Sequence, residues 1–91
     1  MANYRDGTRV HTGRVSRWHE AEGWGLLEAP DIEGAVWAHF SLIDPASAGT
    51  RPGGFRTLRR GESVSFAAER AEQDGYHWRA TWIEGHGATS R

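Results

Sequence analysis

Turn residues interrupt this chain at short intervals, and that spacing limits the folds that the chain can adopt. Glycine or proline recurs about every eight to twelve residues, and the segments between are rich in β-branched and aromatic side chains. No segment has a sustained apolar period of 3.6 residues, so amphipathic helices are not expected. We predict five strands, at approximately residues 10–19, 23–28, 35–39, 62–70 and 76–84.

A closed barrel is the arrangement that suits five short strands. Closure removes the exposed sheet edges and creates a single core, and the 91 residues suffice for one small domain. Asp74-Gly75 fits a hairpin turn between the last two strands, because this pair tolerates positive φ. We predict an all-β, five-stranded antiparallel barrel over residues 10–84, with a flexible leader at 1–9 and a flexible tail at 85–91.

Alternation along each predicted strand indicates which side chains face inward. It directs Ala68 inward and Ala67 outward in the fourth strand. In the fifth strand it puts Trp82 in the core and Trp78 partly buried at one end of the barrel. Gly13 interrupts the first strand and would let it bend. The predicted core comprises Val15, Leu27, Val36 or Ala38, Ile43, Leu58, Val64, Phe66, Ala80 and Trp82, with Ile32 as a further candidate.

Two short segments bring aromatic and imidazole rings to one surface. Residues 23–27 read Gly-Trp-Gly-Leu-Leu, and residues 36–40 read Val-Trp-Ala-His-Phe. Because alternate residues of a strand point to the same face, Trp37 and His39 share a face, and Trp24 joins them if the strands pair. A group of outward-facing rings is typical of a surface on which unpaired nucleic-acid bases stack.

Burial in the core is the alternative for each of these rings, because tryptophan is usually well buried. For Trp24 and Trp37 the neighbouring aliphatic residues are better core candidates. Phe40 points away from the residue before it unless the chain bends, so core and surface both remain open. Trp18 is open between packing at the rim and stacking. Phe55 lies in a glycine-flanked loop with little to pack against, so we expect it at the binding surface.

Charge is segregated along the chain. All eleven basic residues are arginine, and we expect Arg17 and Arg56 to contact phosphate or to stack on bases. A net charge of −1 argues against binding of duplex nucleic acid through bulk electrostatics. Residues 20–44 hold six acidic residues and no arginine, and they would repel phosphate if they lay on the ring face. A barrel reused for binding another protein is therefore the alternative function.

Taken together, the motifs resemble the bacterial cold-shock domain, a Greek-key barrel of the oligonucleotide-binding (OB) type. Residues 13–15 and then 23–27 are similar to its first strand and first RNA-binding motif, and residues 36–41 to its second motif. Residues 54–66 are similar to its loop and fourth strand, and the whole resemblance covers residues 13–84. It implies binding of single-stranded RNA or DNA, as an RNA chaperone or a cold-shock-type regulator of transcription or translation.

Several positions depart from that family's pattern. In a gapless alignment Arg17 stands at the family's tryptophan and Trp18 at the neighbouring phenylalanine. Glu22 replaces a lysine, Leu26 replaces the second aromatic residue of the first motif, and the loop before Phe55 is longer. These changes bear on affinity and sequence preference. The predicted interface is Arg17, Trp18, Trp24, Trp37, His39, Phe40, Phe55 and Arg56.

Other classes of function find little support in the residues. The chain has no cysteine, its five histidines lack metal-ligand spacing, and no carboxylate pair has a nucleophile or pocket beside it. We expect no enzymatic activity, no metal or cofactor and no small-molecule substrate. No apolar run reaches membrane length and no signal peptide opens the chain, so we expect a cytoplasmic protein without membrane contact. We expect a monomer, with a dimer through the long loop at residues 44–54 left open.

Overall fold

The computed structural model describes residues 3–5, 7–47 and 56–87 of the chain. Strands dominate this part, and the five predicted strands are all present as β2 to β6. None of the described helices is long and apolar enough to cross a membrane. The elements are β1 (Asn3–Arg5), β2 (Thr8–His19), β3 (Trp24–Ala29), β4 (Ile32–His39), a 3-10 helix (Phe40–Leu42), β5 (Ser63–Gln73) and β6 (Tyr76–Gly85).

Five of these strands close into a barrel. They follow one another in the order β2, β3, β4, β6, β5, and β5 pairs again with β2. The predicted all-β barrel is therefore confirmed. One contact is not antiparallel, because β4 and β6 pair in parallel at Val36 with Trp78 and at Trp37 with Arg79. Because β6 is antiparallel to β5 in their hairpin, it runs in the same direction as β4.

The first residues form more secondary structure than the sequence suggested. β1 pairs with the start of β2, so that Asn3 lies opposite Val10 and Tyr4 opposite Arg9. Gly7, at φ 81°, adopts the left-handed conformation within the connection. β2 consequently begins at Thr8 and not at residue 10. The flexibility expected of residues 1–9 and 85–91 stays a prediction.

Around Gly13, β2 changes from one pairing partner to another. Residues 11–14 of β2 pair with β5, whereas residues 14–19 pair with β3. A Cβ atom at Gly13 would lie 1.8 Å from the carbonyl oxygen of Glu28. Only glycine permits this close approach of the two backbones, and the approach closes the barrel at this point.

The hairpin between β5 and β6 carries both a confirmed turn and an unexpected bulge. Asp74 (φ 51°) and Gly75 (φ 87°) form the predicted turn. Farther along, Ala68 pairs with Ala80 but Ala67 pairs with Trp82, so Thr81 is an extra residue in β6. An extra residue reverses the alternation beyond it, and this changes which side of β6 faces the core.

The core confirms most of the predicted side chains and corrects two assignments. Trp82 is only partly buried, because the bulge at Thr81 turns Ile83 into the core instead. Ala67 is buried despite its outward assignment, and Trp78 packs partly buried against the core as predicted. Val36 and Ala38 are both buried. The core comprises Val15, Leu27, Ala29, Ile32, Val36, Ala38, Ile43, Leu58, Val64, Phe66, Ala80 and Ile83.

Candidate nucleic-acid interface

The ends of three strands meet at one edge of the barrel and present rings on its outer face. His19 at the end of β2 pairs with Trp24 at the start of β3, and Trp24 pairs with His39 at the end of β4. Directly paired residues point to the same side of a sheet. Trp37 lies two residues before His39 and shares its face, whereas Ala38 between them is fully buried. The alternation predicted for this segment is confirmed.

The rings form a continuous line, which we call the ring row. Centroid distances between successive rings are 4.4 Å from His19 to Trp24, 6.3 Å to Trp37, 5.9 Å to His39 and 4.6 Å to Phe40. The planes of Trp24, Trp37 and His39 are nearly parallel, at 21° and 22° between neighbours. Four of the rings are half-buried, so their surroundings hold them while part of each stays accessible to a flat ligand.

A bulge in β2 decides which of its side chains reach this face. Val15 pairs with Leu27 in the core, but Arg17 pairs with Leu26, so Ser16 is an extra residue. The Ser16 hydroxyl donates a hydrogen bond to the carbonyl oxygen of Leu26 at 3.3 Å. Beyond the bulge the alternation is reversed, and Arg17 faces outward with Leu26.

The same bulge separates Trp18 from the ring row. Trp18 pairs with Gly25 and packs, partly buried, against the core. Its indole Nε1 donates a hydrogen bond to the hydroxyl of Thr57 at 3.0 Å. A Cβ atom at Gly25 would lie 2.4 Å from the Trp18 ring, so this glycine makes room for the indole. Of the two readings of Trp18, packing at the rim describes its position.

Phe40 joins the ring row because the chain bends. The 3-10 helix begins at this residue, and the Phe40 amide donates a hydrogen bond to the carbonyl oxygen of Gly23 at 2.8 Å. The Phe40 ring covers Gly23, where a Cβ atom would lie 2.8 Å from the ring edge. Phe40 is 40% exposed, the most accessible member of the row. Its position was left open by alternation alone, and the bend places it at the surface.

Hydrogen bonds around the short helix hold the end of the row in place. The Ser41 amide donates to Nδ1 of His39 at 3.2 Å, and the Ser41 hydroxyl lies 2.8 Å from the same nitrogen. These contacts assign the ring proton of neutral His39 to Nε2. Nη1 of Arg56 donates to the carbonyl oxygen of Ser41 at 3.2 Å and faces that of Ile43 at 3.5 Å. Arg56 therefore braces the helix that carries Phe40.

Charged side chains of both signs border the ring row. A carboxylate oxygen of Glu22 accepts a hydrogen bond from Nε1 of Trp24 at 3.0 Å, which places an acid directly beside a ring. Arg17 is exposed on the same face, and it makes no ion pair or hydrogen bond with the described side chains. Glu28 and Glu33 lie toward the opposite ends of β3 and β4. The acidic stretch is thus divided, and part of it lies away from the rings.

Asp31 belongs to that distant group and has basic partners of its own. Its carboxylate lies 2.7 Å from Nδ1 of His11 and 3.1 Å from the guanidinium of Arg9. Burial opposes ionisation, but the hydrogen bond and charge of His11, together with the Arg9 charge, hold the pKa of Asp31 below its ordinary value. This acid lies in the β3–β4 turn, at the opposite end of the paired strands from Trp24 and His39.

The ring row contains one donor without a partner. Nε1 of Trp37 is buried and finds no hydrogen-bond acceptor among the described residues. Such a group costs about 1–3 kcal/mol, which the surrounding packing must offset.

One member of the ring row was not predicted from the sequence, and one predicted interface residue is outside the described part of the chain. His19 was not predicted at the interface, and only the bulge at Ser16, which has no local sequence signal, turns it outward. Phe55 lies outside the described residues, so its expected place at the binding surface stays a prediction. The structure brings together Trp24, Trp37, His39 and Phe40 of the predicted set, with Arg17 on the same face.

Comparison with known proteins agrees with the fold. The chain is 33% identical over 66 residues to the cold shock-like protein CspD of Vibrio cholerae serotype O1, and the alignment covers 72% of this chain and 76% of that protein. No protein-family model matches the chain. With the closed five-stranded barrel and the motifs of residues 23–27 and 36–41, this similarity shows that the chain belongs to the cold-shock protein family.

Proposed function

We propose that this protein binds single-stranded RNA or DNA by stacking unpaired bases on the ring row. The unbroken line of five rings on the outer face carries the proposal. Base stacking on an aromatic side chain contributes about 1–3 kcal/mol per base and tolerates any base, because every base has a π-face. Membership in the cold-shock family supports the same function. The protein acts without chemical transformation of its ligand.

The proposed biological role follows from stacking. A base held against Trp24 or Trp37 is not free to pair, so binding favours unpaired strands over hairpins. This is the activity of an RNA chaperone. It also suits a cold-shock-type regulator that keeps a transcript accessible, acting in the cytoplasm as a monomer.

Few phosphates are neutralised in this arrangement. Arg17 is exposed beside the rings, Arg56 is engaged with the helix backbone, and Glu22 opposes an incoming phosphate. Since the salt dependence of binding scales with the number of phosphates contacted, we expect a shallow slope for a single strand. Stacking, and not charge, supplies most of the affinity.

Binding of another protein is the alternative, and the acidic stretch of residues 20–44 was its basis. Glu28, Asp31 and Glu33 lie toward the β3–β4 turn, and Asp31 is paired with His11 and Arg9. Glu22 accepts a hydrogen bond from Trp24, a member of the ring row. Because Glu28, Asp31 and Glu33 lie away from the ring row, the ring row favours nucleic acid over a protein partner.

The test is a titration followed by fluorescence anisotropy. A short labelled oligothymidine, an oligouridine of equal length and a duplex of equal length are compared at low salt. We expect both single strands to bind and the duplex to bind at least about tenfold more weakly. Equal affinity for duplex and single strand, or no binding of either strand, would refute the proposal. A hairpin RNA with a fluorophore and a quencher at its ends then tests whether the protein holds it open.

A further inference from the structure

A second line of outward-facing residues crosses the ring row at Trp37. Arg17 pairs with Leu26, Leu26 with Trp37, and Trp37 with Arg79. Paired residues share a face, so Arg79 of β6 is the next-strand neighbour of Trp37 on the outer surface. With strands about 4.8 Å apart, the two arginines lie about 14 Å apart along the sheet, on either side of the Leu26 and Trp37 side chains.

Arg79 differs from Arg17 in having an acidic partner. Its Nε donates to Oε2 of Glu69 at 3.0 Å, and its Nη2 contacts the same oxygen. Glu69 lies directly opposite Arg79 in the β5–β6 pairing. Both side chains are well exposed, at 42% for Arg79 and 46% for Glu69. The contact uses one edge of the guanidinium, and no described residue bonds to Nη1.

We propose that Arg79 is a phosphate-binding residue of the single-strand site and that Glu69 occupies it in the empty protein as an internal competitor. This inference rests on the proposed function. A backbone phosphate arriving beside Trp37 takes the place of the Glu69 carboxylate, because both present oxygens that suit the guanidinium fork. The strand then runs across β3, β4 and β6, between Arg17 and Arg79.

The exposure of the pair makes the exchange feasible. Surface ion pairs contribute little to stability because water screens them and two long side chains must be ordered, so release of Glu69 costs little. The pair also keeps the guanidinium over the outer face before the ligand arrives, which reduces the ordering that binding requires. Removing Glu69 should therefore strengthen binding, whereas removing Arg79 should weaken it.

A purely structural role predicts a different pattern. If the ion pair only braced β5 against β6, Glu69→Gln and Arg79→Ala would both lower stability, and neither would raise affinity. Opposite effects of the two substitutions on affinity distinguish an internal competitor from a brace.

The experiment measures the affinity of a labelled oligothymidine for the full chain at low and high salt. We expect Arg79→Ala to bind about three- to tenfold more weakly at low salt, with a shallower salt dependence. Glu69→Gln should bind about two- to fivefold more tightly. In the Arg79→Ala background, Glu69→Gln should gain almost nothing, since its effect acts through that arginine.

Two matched variants control for general changes of charge. Arg70→Ala removes an arginine one residue from Glu69 whose guanidinium lies 5.2 Å over the Trp78 ring, away from the ring row. Glu72→Gln removes a carboxylate from the same strand that pairs with His77. Both should bind much as the parent does. Thermal unfolding of each variant verifies that it is folded.

The outcomes separate this inference from the proposed function. If the parent binds single strands but Arg79→Ala matches Arg70→Ala, the phosphate contact is refuted. If Glu69→Gln binds no more tightly than Glu72→Gln, the competitor is refuted. Failure of the parent to bind any strand would instead refute the proposed function.

Discussion

Replacing Trp24 with alanine should remove affinity while leaving the fold intact. Trp24 is the second ring of the row, 4.4 Å from His19 and 6.3 Å from Trp37 between ring centroids. It does not pack against the buried core cluster. Its indole hydrogen bond goes to the exposed Glu22 and not to the barrel interior. The variant therefore separates the contribution of the ring surface to binding from the stability of the protein.

The magnitude follows from the position of the ring. Loss of one stacked base lowers the binding free energy by about 1–3 kcal/mol, which raises the dissociation constant about 5- to 150-fold. Because Trp24 also supports the neighbouring rings of His19 and Trp37, we expect a value in the upper half of that range. Removal of the half-buried indole should lower the free energy of unfolding by only about 1 kcal/mol, since little core contact is lost.

Trp78→Ala provides the matched control. Trp78 packs against the core and lies on the opposite face from the ring row. Its loss should lower stability by about 2–4 kcal/mol, because it leaves a cavity beside the core. Below its unfolding temperature this variant should keep nearly the parent's affinity.

Anisotropy of a labelled oligothymidine measures affinity without relying on the tryptophan signal, and thermal unfolding measures stability. If Trp24→Ala bound as tightly as the parent, or lost affinity only in proportion to its stability, the stacking argument would be wrong. A large loss of affinity in a folded Trp78→Ala would contradict the location of the site.

Three further predictions concern neighbouring features. Glu22→Gln removes the charge beside Trp24 while retaining a hydrogen-bond acceptor. It should tighten binding of the single strand about two- to threefold at low salt and change it little at high salt. An unchanged affinity at low salt would contradict this. Gly13→Ala would place a Cβ atom 1.8 Å from a backbone oxygen on β3, so it should lower the free energy of unfolding by about 3 kcal/mol or more. A denaturation midpoint equal to the parent's would contradict this close approach. Asp31 has a lowered pKa in the folded state, so its contact with His11 stabilises the protein above the ordinary carboxyl pKa and is lost as pH falls through the lowered value. Asp31→Asn should therefore flatten the acid limb of the melting temperature against pH, and an acid limb as steep as the parent's would count against the pair.

Alternation predicted the interface where strands are regular. β4 contains no extra residue between Val36 and His39, so counting by two placed Trp37 and His39 outside and Val36 and Ala38 inside. The register with β3 is also uninterrupted over this stretch, from Leu27 opposite Val36 to Trp24 opposite His39, and its irregularity lies nearer the β3–β4 turn. These features are local, and the sequence alone carries them.

Bulges account for the main errors. Ser16 in β2 and Thr81 in β6 each add one residue to a strand, and each reverses the alternation that follows. Neither residue differs from an ordinary strand residue in the sequence, because the cause is the fit of a long strand around a closed barrel. Trp18 was therefore left open, and Trp82 was wrongly assigned to the core.

Contacts that depend on the pairing of β4 with β6 could also not be predicted from the sequence. Glu69 and Arg79 are ten residues apart, and their meeting on the face that carries Trp37 depends on the parallel pairing of β4 with β6. Phe40 required the bend into the 3-10 helix. In both cases tertiary geometry decides which chemistry the face presents.

The indole N–H signals of the five tryptophans provide the most direct test of the central claim. In a two-dimensional ¹H–¹⁵N spectrum, addition of unlabelled oligothymidine should shift or broaden the signals of Trp24 and Trp37. Those of Trp18, Trp78 and Trp82, which lie off the ring row, should move far less. Large shifts confined to those three signals, with Trp24 and Trp37 unchanged at saturating strand, would contradict base stacking on the ring row.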